Sequence, residues 1–202
     1  MASADVTPPA SDAAAPGSSS AVDPAPVHLL LSKWTLWFDS PQGGRQSYTN
    51  VDWGAKMKEV LSFESVEDFW RLFNNIKPPS AIATNANYHL FRHGVQPAWE
   101  DPMNANGGRW KIELKNPQEF DSLWRLITAA IVGEAFDCSD HVCGVIASPR
   151  KNVLRISVWM KDAADEAAVV TVGKALKDAI KYANAMDFEE HNKKSSSKKI
   201  TV

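Results

Sequence analysis

Cysteine is scarce in this chain. Cys138 and Cys143 are the only two among 202 residues, too few for a disulfide framework and consistent with a reduced, intracellular protein. No apolar run approaches the roughly 20 residues that a membrane span requires. No positively charged segment leads into an apolar one at the start, so a secretory leader is not expected and the expected location is the cytoplasm. An excess of one charge is also missing: 22 Lys and Arg stand against 24 Asp and Glu, a formal net charge of −2. That excludes a general polyanion binder, and any nucleic-acid contact must come from a local basic patch. Cys138, His141 and Cys143 lack a fourth ligand and the Cys-x2-Cys spacing of a zinc site, so no metal is expected. Gly107-Gly108 is followed by neither Lys-Ser/Thr nor a helix start and reads as a turn into a strand, not a phosphate loop. With no Ser/His/Asp or Cys/His set discernible, no catalytic residue and no cofactor are expected.

What the chain has in excess is tryptophan, eight in all. Each indole either buries a large area or stacks on something flat. Residues 1–26 are Ala, Pro, Ser and Asp with no Lys, Arg or aromatic side chain, and read as a disordered tail. Residues 189–202 are rich in Lys and Ser and read as a mobile tail, leaving 27–188 as one folded domain. Leu36-Trp37-Phe38 reads as a short aromatic strand, followed by a loop through Pro41-Gln42-Gly43-Gly44. Ser65 starts a helix with Glu67 and Asp68 in its first turn and Val66, Phe69, Trp70 and Phe73 at helical spacing. Tyr88 to Arg92 is a strand; Arg109 to Leu114 alternates charged and apolar residues, a strand with one wet face. Asn116-Pro117 opens a second helix that ends near Gly133. Pro149-Arg150-Lys151-Asn152 turns a hairpin whose second strand places Arg155, Ser157 and Trp159 on one face. A last helix is expected from about Asp165 to Asn184. Half-wet strands and three helices predict α+β: an antiparallel sheet with helices on one face. Trp34, Trp37, Trp110 and Trp124 fit core positions.

Trp53 and Trp99 do not. Both stand in loop-like surroundings, and Glu100 follows Trp99 directly. Two indoles can sandwich a flat cationic base, each face gaining about 1–3 kcal/mol from stacking and cation–π attraction. A carboxylate can accept two neighbouring N–H groups in a fork. Arg109, Arg150 and Arg155, on wet faces and a hairpin tip, could hold phosphates.

The ordered motifs Gln96-Pro97-Ala98-Trp99-Glu100-Asp101, Gly107-Gly108-Arg109-Trp110, Gly133-Glu134-Ala135-Phe136 and Asp140-His141-Val142-Cys143-Gly144, after Phe69-Trp70, resemble the eukaryotic translation initiation factor 4E family of mRNA cap-binding proteins. The resemblance covers most of residues 28–159. It implies a curved antiparallel sheet with three long helices on its convex face and the 7-methylguanosine cap in the concave face, with no enzymatic activity. By position, Trp53 and Trp99 would stack on the base and Glu100 would fork its Watson–Crick edge. Trp159 would contact the N7-methyl group, and Arg109, Arg150 and Arg155 would hold the phosphates. Capped mRNA is then one partner. The other is a scaffold or inhibitor protein whose helix docks on the convex face at Val66, Trp70, Arg125 and Ala129. The chain departs from the family there, because Arg125 and Ala129 stand where apolar residues are usual. It also departs at His28-Leu29-Leu30, where His-Pro-Leu is usual, and in a longer loop after Asp39. A cap-binding repressor or storage factor is the alternative role; a cap hydrolase using Glu100, Asp101 and Glu113 as metal ligands lacks a compact acidic motif on a helix.

Overall fold

The structure is a computed structural model and describes residues 26–41, 57–191 and 200–202. Among these, strands β1 (Leu29–Asp39), β2 (Lys58–Ser65), β3 (Asn87–Arg92), β4 (Gly108–Leu114), β5 (Val142–Pro149), β6 (Leu154–Met160), β7 (Asp187–Glu190) and β8 (Ile200–Thr201) form one sheet. Its order is β2-β1-β3-β5-β6-β4-β7-β8, with every pairing among the described residues antiparallel. Helices α1 (Val66–Asn75), α2 (Pro117–Val132) and α3 (Glu166–Ile180) cover one face. The fold is α+β, as the half-wet strands predict.

The helix starts follow from their capping residues. Ser65 Oγ accepts from Asp68 N at 3.1 Å, Asn116 Oδ1 from Gln118 N at 2.8 Å, and Asp165 Oδ1 from Ala168 N at 3.0 Å. In α1 the helical spacing divides: Phe69 and Leu72 are buried, whereas Val66 and Trp70 stay 37% and 39% exposed. α3 stops at Ile180, short of the expected Asn184, because Lys181 turns into the left-handed region at φ 51°. β3 ends in a turn where Gly94 adopts φ +87°, a conformation natural only to glycine.

Period-two alternation decides what each strand gives to either face. Trp110, Ile112 and Leu114 of β4, with Ile156, Val158 and Met160 of β6, face the helices and are buried. Trp110 is fixed further by donating Nε1 to Val169 O at 3.1 Å. There α3 comes so close that a Cβ on Gly173 would lie 2.4 Å from the Trp110 ring. Trp34 and Trp124 are core as expected. Trp37 is a correction. The core side of β1 is taken by Trp34, Leu36 and Phe38, so Trp37 turns to the opposite, open face and is only half-buried.

The sheet also runs past residue 188, where the sequence reading ends the folded domain. Phe188 packs on Trp110 with ring centroids 5.4 Å apart, and Glu189 and Glu190 continue the pairing with β4. Thr201 and Ile200 pair in turn with Asp187 and Phe188. A few residues with one buried aromatic anchor suffice for an edge strand; composition alone hides it.

At the far end of the sheet a part-buried ion pair ties three elements together. Arg92 reaches Glu134 Oε1 at 3.1 Å, donates to Val142 O at 2.8 Å and Ser139 O at 3.0 Å, and lies 4.9 Å over the Trp34 ring. Partial burial pushes the Glu134 carboxyl up. The hydrogen bonds from Ser32 and Arg92 and the Arg92 charge prevail and hold it below its ordinary value.

Candidate functional site

The open face holds a concave cavity of about 800 Å³, bordered by Trp37, Asn87, Trp99, Glu100, Arg109, Arg150 and Trp159, with Glu189 and His191 at its β7 end. The fold gathers these from five strands (β1, β3, β4, β6 and β7), the loop that carries Trp99 and Glu100, and the hairpin tip at Arg150. The β4–β6 register sets Arg109 opposite Trp159, and the β4–β7 register sets Glu189 opposite Arg109. Side chains of paired residues share a face, so all three point into the concavity.

Trp99 and Glu100 stand on the loop between β3 and β4, and Trp99 is 52% exposed, unusual for so large an apolar side chain. The loop is tied from below. Asn104 is fully buried and donates its amide to Gln96 O at 2.8 Å and Ala98 O at 2.9 Å. The Asp101 carboxylate accepts from Gln96 N and Met103 N, both at 2.9 Å. The indole is thus presented outward on a backbone braced from beneath by these hydrogen bonds.

The cavity floor is a polar network. Asn87 Nδ2 donates to Asp39 Oδ1 at 2.8 Å, while its Oδ1 accepts from Ser148 Oγ and from Arg150, both at 2.8 Å. Buried His89 brings Nε2 to 2.8 Å from Asp39 Oδ1. Arg150 also donates to Pro149 O at 3.1 Å, which helps to hold its guanidinium at the cavity edge. At the β7 end, Glu189 Oε2 lies 3.0 Å from Arg109 and 3.3 Å from Lys111. Partial burial pushes the Glu189 carboxyl up, but hydrogen bonds and charge from Arg109, with the Lys111 charge, hold it below the usual carboxylate range. His191 packs on Trp159 with ring centroids 4.1 Å apart. Burial, and secondarily the Arg109 charge, pushes its pKa down to about 4, so it is neutral at pH 7.

Of the expected residues, the structure brings Trp99, Glu100, Trp159, Arg109 and Arg150 around this one cavity. Trp159 is nearly fully buried, against Phe91 and His191, and offers the cavity little more than an edge. Arg155 lies on the same face of the sheet but further along β6, outside the cavity lining, and donates to Glu113 Oε1 at 2.7 Å. Trp53 lies outside the described residues. Sequence reasoning missed Trp37, Asn87, His89, Glu189 and His191. The signal for the first three was strand alternation opposite Leu36, Tyr88 and Leu90; for the last two there was none before β7 was recognised. Among the described residues no group of three or more His, Cys, Asp or Glu could hold a metal. None of the helices there is long and apolar enough to cross a membrane. On the opposite face, Val66 and Trp70 are exposed on α1, and α2 exposes Arg125 and, at 49%, Leu126, with Ala129 half-buried.

Residues 29–201 match the family described as eukaryotic initiation factor 4E. The chain is 39% identical over 170 residues to eukaryotic translation initiation factor 4E-1 of Oryza sativa subsp. japonica, covering 84% of this chain and 73% of that one. Among solved structures it is similar to Ascaris suum eIF4E-3 with m7G cap, at TM-score 0.79 and 30% identity, covering 87% of this chain and 98% of that one. It is likewise similar to C. elegans eIF4E-3 in complex with the 4E-binding protein Mextli and a cap analog, at TM-score 0.76 and 31% identity, covering 82% and 94%.

Proposed function

The chain belongs to the eukaryotic initiation factor 4E family, cap-binding proteins and not enzymes, and from that premise we propose that its concave cavity binds the 7-methylguanosine cap of mRNA by the residues described above. It acts in translation initiation with capped mRNA and a scaffold or inhibitor protein as partners, and in the cytoplasm. The observation that carries the site assignment is the exposed Trp99–Glu100 pair on its tied loop, facing Arg109, Arg150 and Trp159 across one cavity.

Trp99 stacks on one face of the methylated base and Trp53 on the other. Each stack is worth about 1–3 kcal/mol, because the N7-methylated ring carries a delocalised positive charge that the indole face attracts. The Glu100 carboxylate accepts the two N–H groups of the guanine edge, and the Trp159 edge meets the methyl group. Arg109 and Arg150 take the phosphates nearest the base. Arg155, beyond the cavity and engaged with Glu113, takes phosphate further along the chain. The test is retention on a 7-methyl-GTP resin, with release by 7-methyl-GTP but not by GTP. Glu100→Gln keeps the shape but turns one acceptor into a donor, and should cost about 1.5–3 kcal/mol of affinity. Equal binding of 7-methyl-GTP by parent and variant would remove Glu100 from the site.

The partner docks by an amphipathic helix on the convex face, anchored at Val66 and Trp70, one helical turn apart and both exposed. Exposed Arg125 selects a partner with an acidic residue nearby, and Ala129 borders the patch. This charge in place of an apolar residue also favours a second role, a cap-binding repressor that does not recruit the usual scaffold. Trp70→Ala should keep resin retention and lose the main co-purifying protein. If Arg125→Leu then recovers a different partner, the charge sets the choice.

A further inference from the structure

Arg109, the cation expected to take phosphate at the β7 end of the cavity, is not waiting empty. One oxygen of Glu189, Oε2, accepts from Arg109 Nε at 3.2 Å and from its Nη2 at 3.0 Å, and stands 3.3 Å from Lys111 Nζ. The carboxylate and a phosphate oxygen are interchangeable acceptors for a guanidinium fork. The β4–β7 register fixes the carboxylate there, since Glu189 is the residue directly opposite Arg109. The packing of Phe188 beneath Trp110 and the backbone bond from His191 N to Gly107 O at 3.0 Å hold the strand on both sides of it. The carboxylate is nonetheless about half exposed, so it can swing to solvent without unfolding β7.

We propose that Glu189 is a specificity-determining residue of the cavity: it occupies Arg109 and Lys111 as a built-in anion that ligand phosphate must displace. This rests on the cap-binding reading. The base sees Trp99 and Glu100 and is indifferent to Glu189, whereas each phosphate gains only the difference between its own contact and the one it replaces. The protein therefore draws its discrimination from the methylated base and damps the contribution of the phosphate chain, which every nucleotide shares.

Calorimetry on the full chain with 7-methylguanosine and 7-methyl-GTP tests it, in the parent, Glu189→Gln, Glu189→Asp and Glu119→Gln. Glu189→Gln should bind 7-methyl-GTP roughly three- to tenfold more tightly, with 7-methylguanosine changed by less than about twofold. Its 7-methyl-GTP affinity should also fall more steeply with salt, because phosphate now neutralises cations that shed counterions. Glu189→Asp keeps the charge and should stay near the parent. Glu119, exposed in the first turn of α2, lies on the helical side of the sheet, away from the cavity. Glu119→Gln should therefore give little of the gain. An equal gain from both glutamine variants would make the effect one of net charge and overturn the proposal. So would an equal change for nucleoside and triphosphate, or no change for either. Should the glutamine variant fail to fold, Glu189→Ala gives the same reading, with nucleoside affinity as its check on the fold. If the parent fails to prefer 7-methyl-GTP over GTP, the cap-binding reading itself falls, a result separate from all of these.

Discussion

Asn104→Ala would test whether the Trp99 loop is preorganised. The Asn104 side chain is buried without touching the cavity, and its two donated hydrogen bonds hold the carbonyls of Gln96 and Ala98, one on either side of Pro97 and directly before Trp99. A typical hydrogen bond contributes about 0.5–1.5 kcal/mol net, so removing both costs about 1–3 kcal/mol, felt mainly by the loop. The Asp101 carboxylate still braces Gln96 and Met103, so the loop opens part of the time instead of collapsing. Apparent affinity falls with the fraction of loops in the binding conformation, which predicts a loss for 7-methyl-GTP of up to roughly 5- to 150-fold. Asn104→Asp should be worse than alanine near neutral pH, because a carboxylate would face two carbonyl oxygens with no proton to offer. Calorimetric titration beside urea denaturation separates the two levels. An unchanged affinity in both variants, alongside a full loss of stability, would show that Asn104 is packing alone.

Three further outcomes follow from the packing. Gly173→Ala should destabilise by about 1–3 kcal/mol in denaturant melts, because the new methyl group meets the Trp110 ring at 2.4 Å; a neutral result would mean that α3 shifts freely. Arg92→Met should cost about 3 kcal/mol or more, because it leaves the part-buried Glu134 carboxylate without its cation, and Glu134→Gln in the same background should recover part of it. His191 has a folded pKa near 4, below the ordinary His value of about 6.5, so unfolding takes up a proton between those values. Its contribution is full above about pH 6.5 and is lost as pH falls towards 4; His191→Phe should flatten that limb of the stability–pH profile.

The parts of the fold that sequence reveals are those whose cause is local. Ser65, Asn116-Pro117 and Asp165 mark helix starts because the capping acceptor and the N–H groups it serves lie within three residues. The charged–apolar alternation of β4 reveals its two faces for the same reason. β2, β7 and β8 escaped because their residues show no clear alternation and become strands only by pairing with residues distant in sequence. The environment of Glu189 was hidden likewise: nothing near Asp187-Phe188-Glu189-Glu190 says that Arg109 lies opposite. Trp37 shows a third limit. Its neighbours made it look like core, and only the extent of β1, 11 residues and not three, settles which of two adjacent aromatics faces inward. Along the convex face, Leu126 was overlooked because a leucine in an apolar helix reads as buried until the axis is fixed by Leu123, Trp124 and Ile127.

The place of β4 in the sheet has a consequence for the newborn chain. Both strands that flank it, β6 and β7, come later in the sequence. As synthesis proceeds from the N-terminus, β4 emerges with both edges bare and with Trp110, Ile112 and Leu114 along one side. An apolar strand with open edges invites pairing with other chains. Its other side carries Arg109, Lys111 and Glu113, and alternating charges of this kind act as gatekeepers against such pairing. The same side chains thus shield the polypeptide on the ribosome until β6 and β7 arrive to cover its edges.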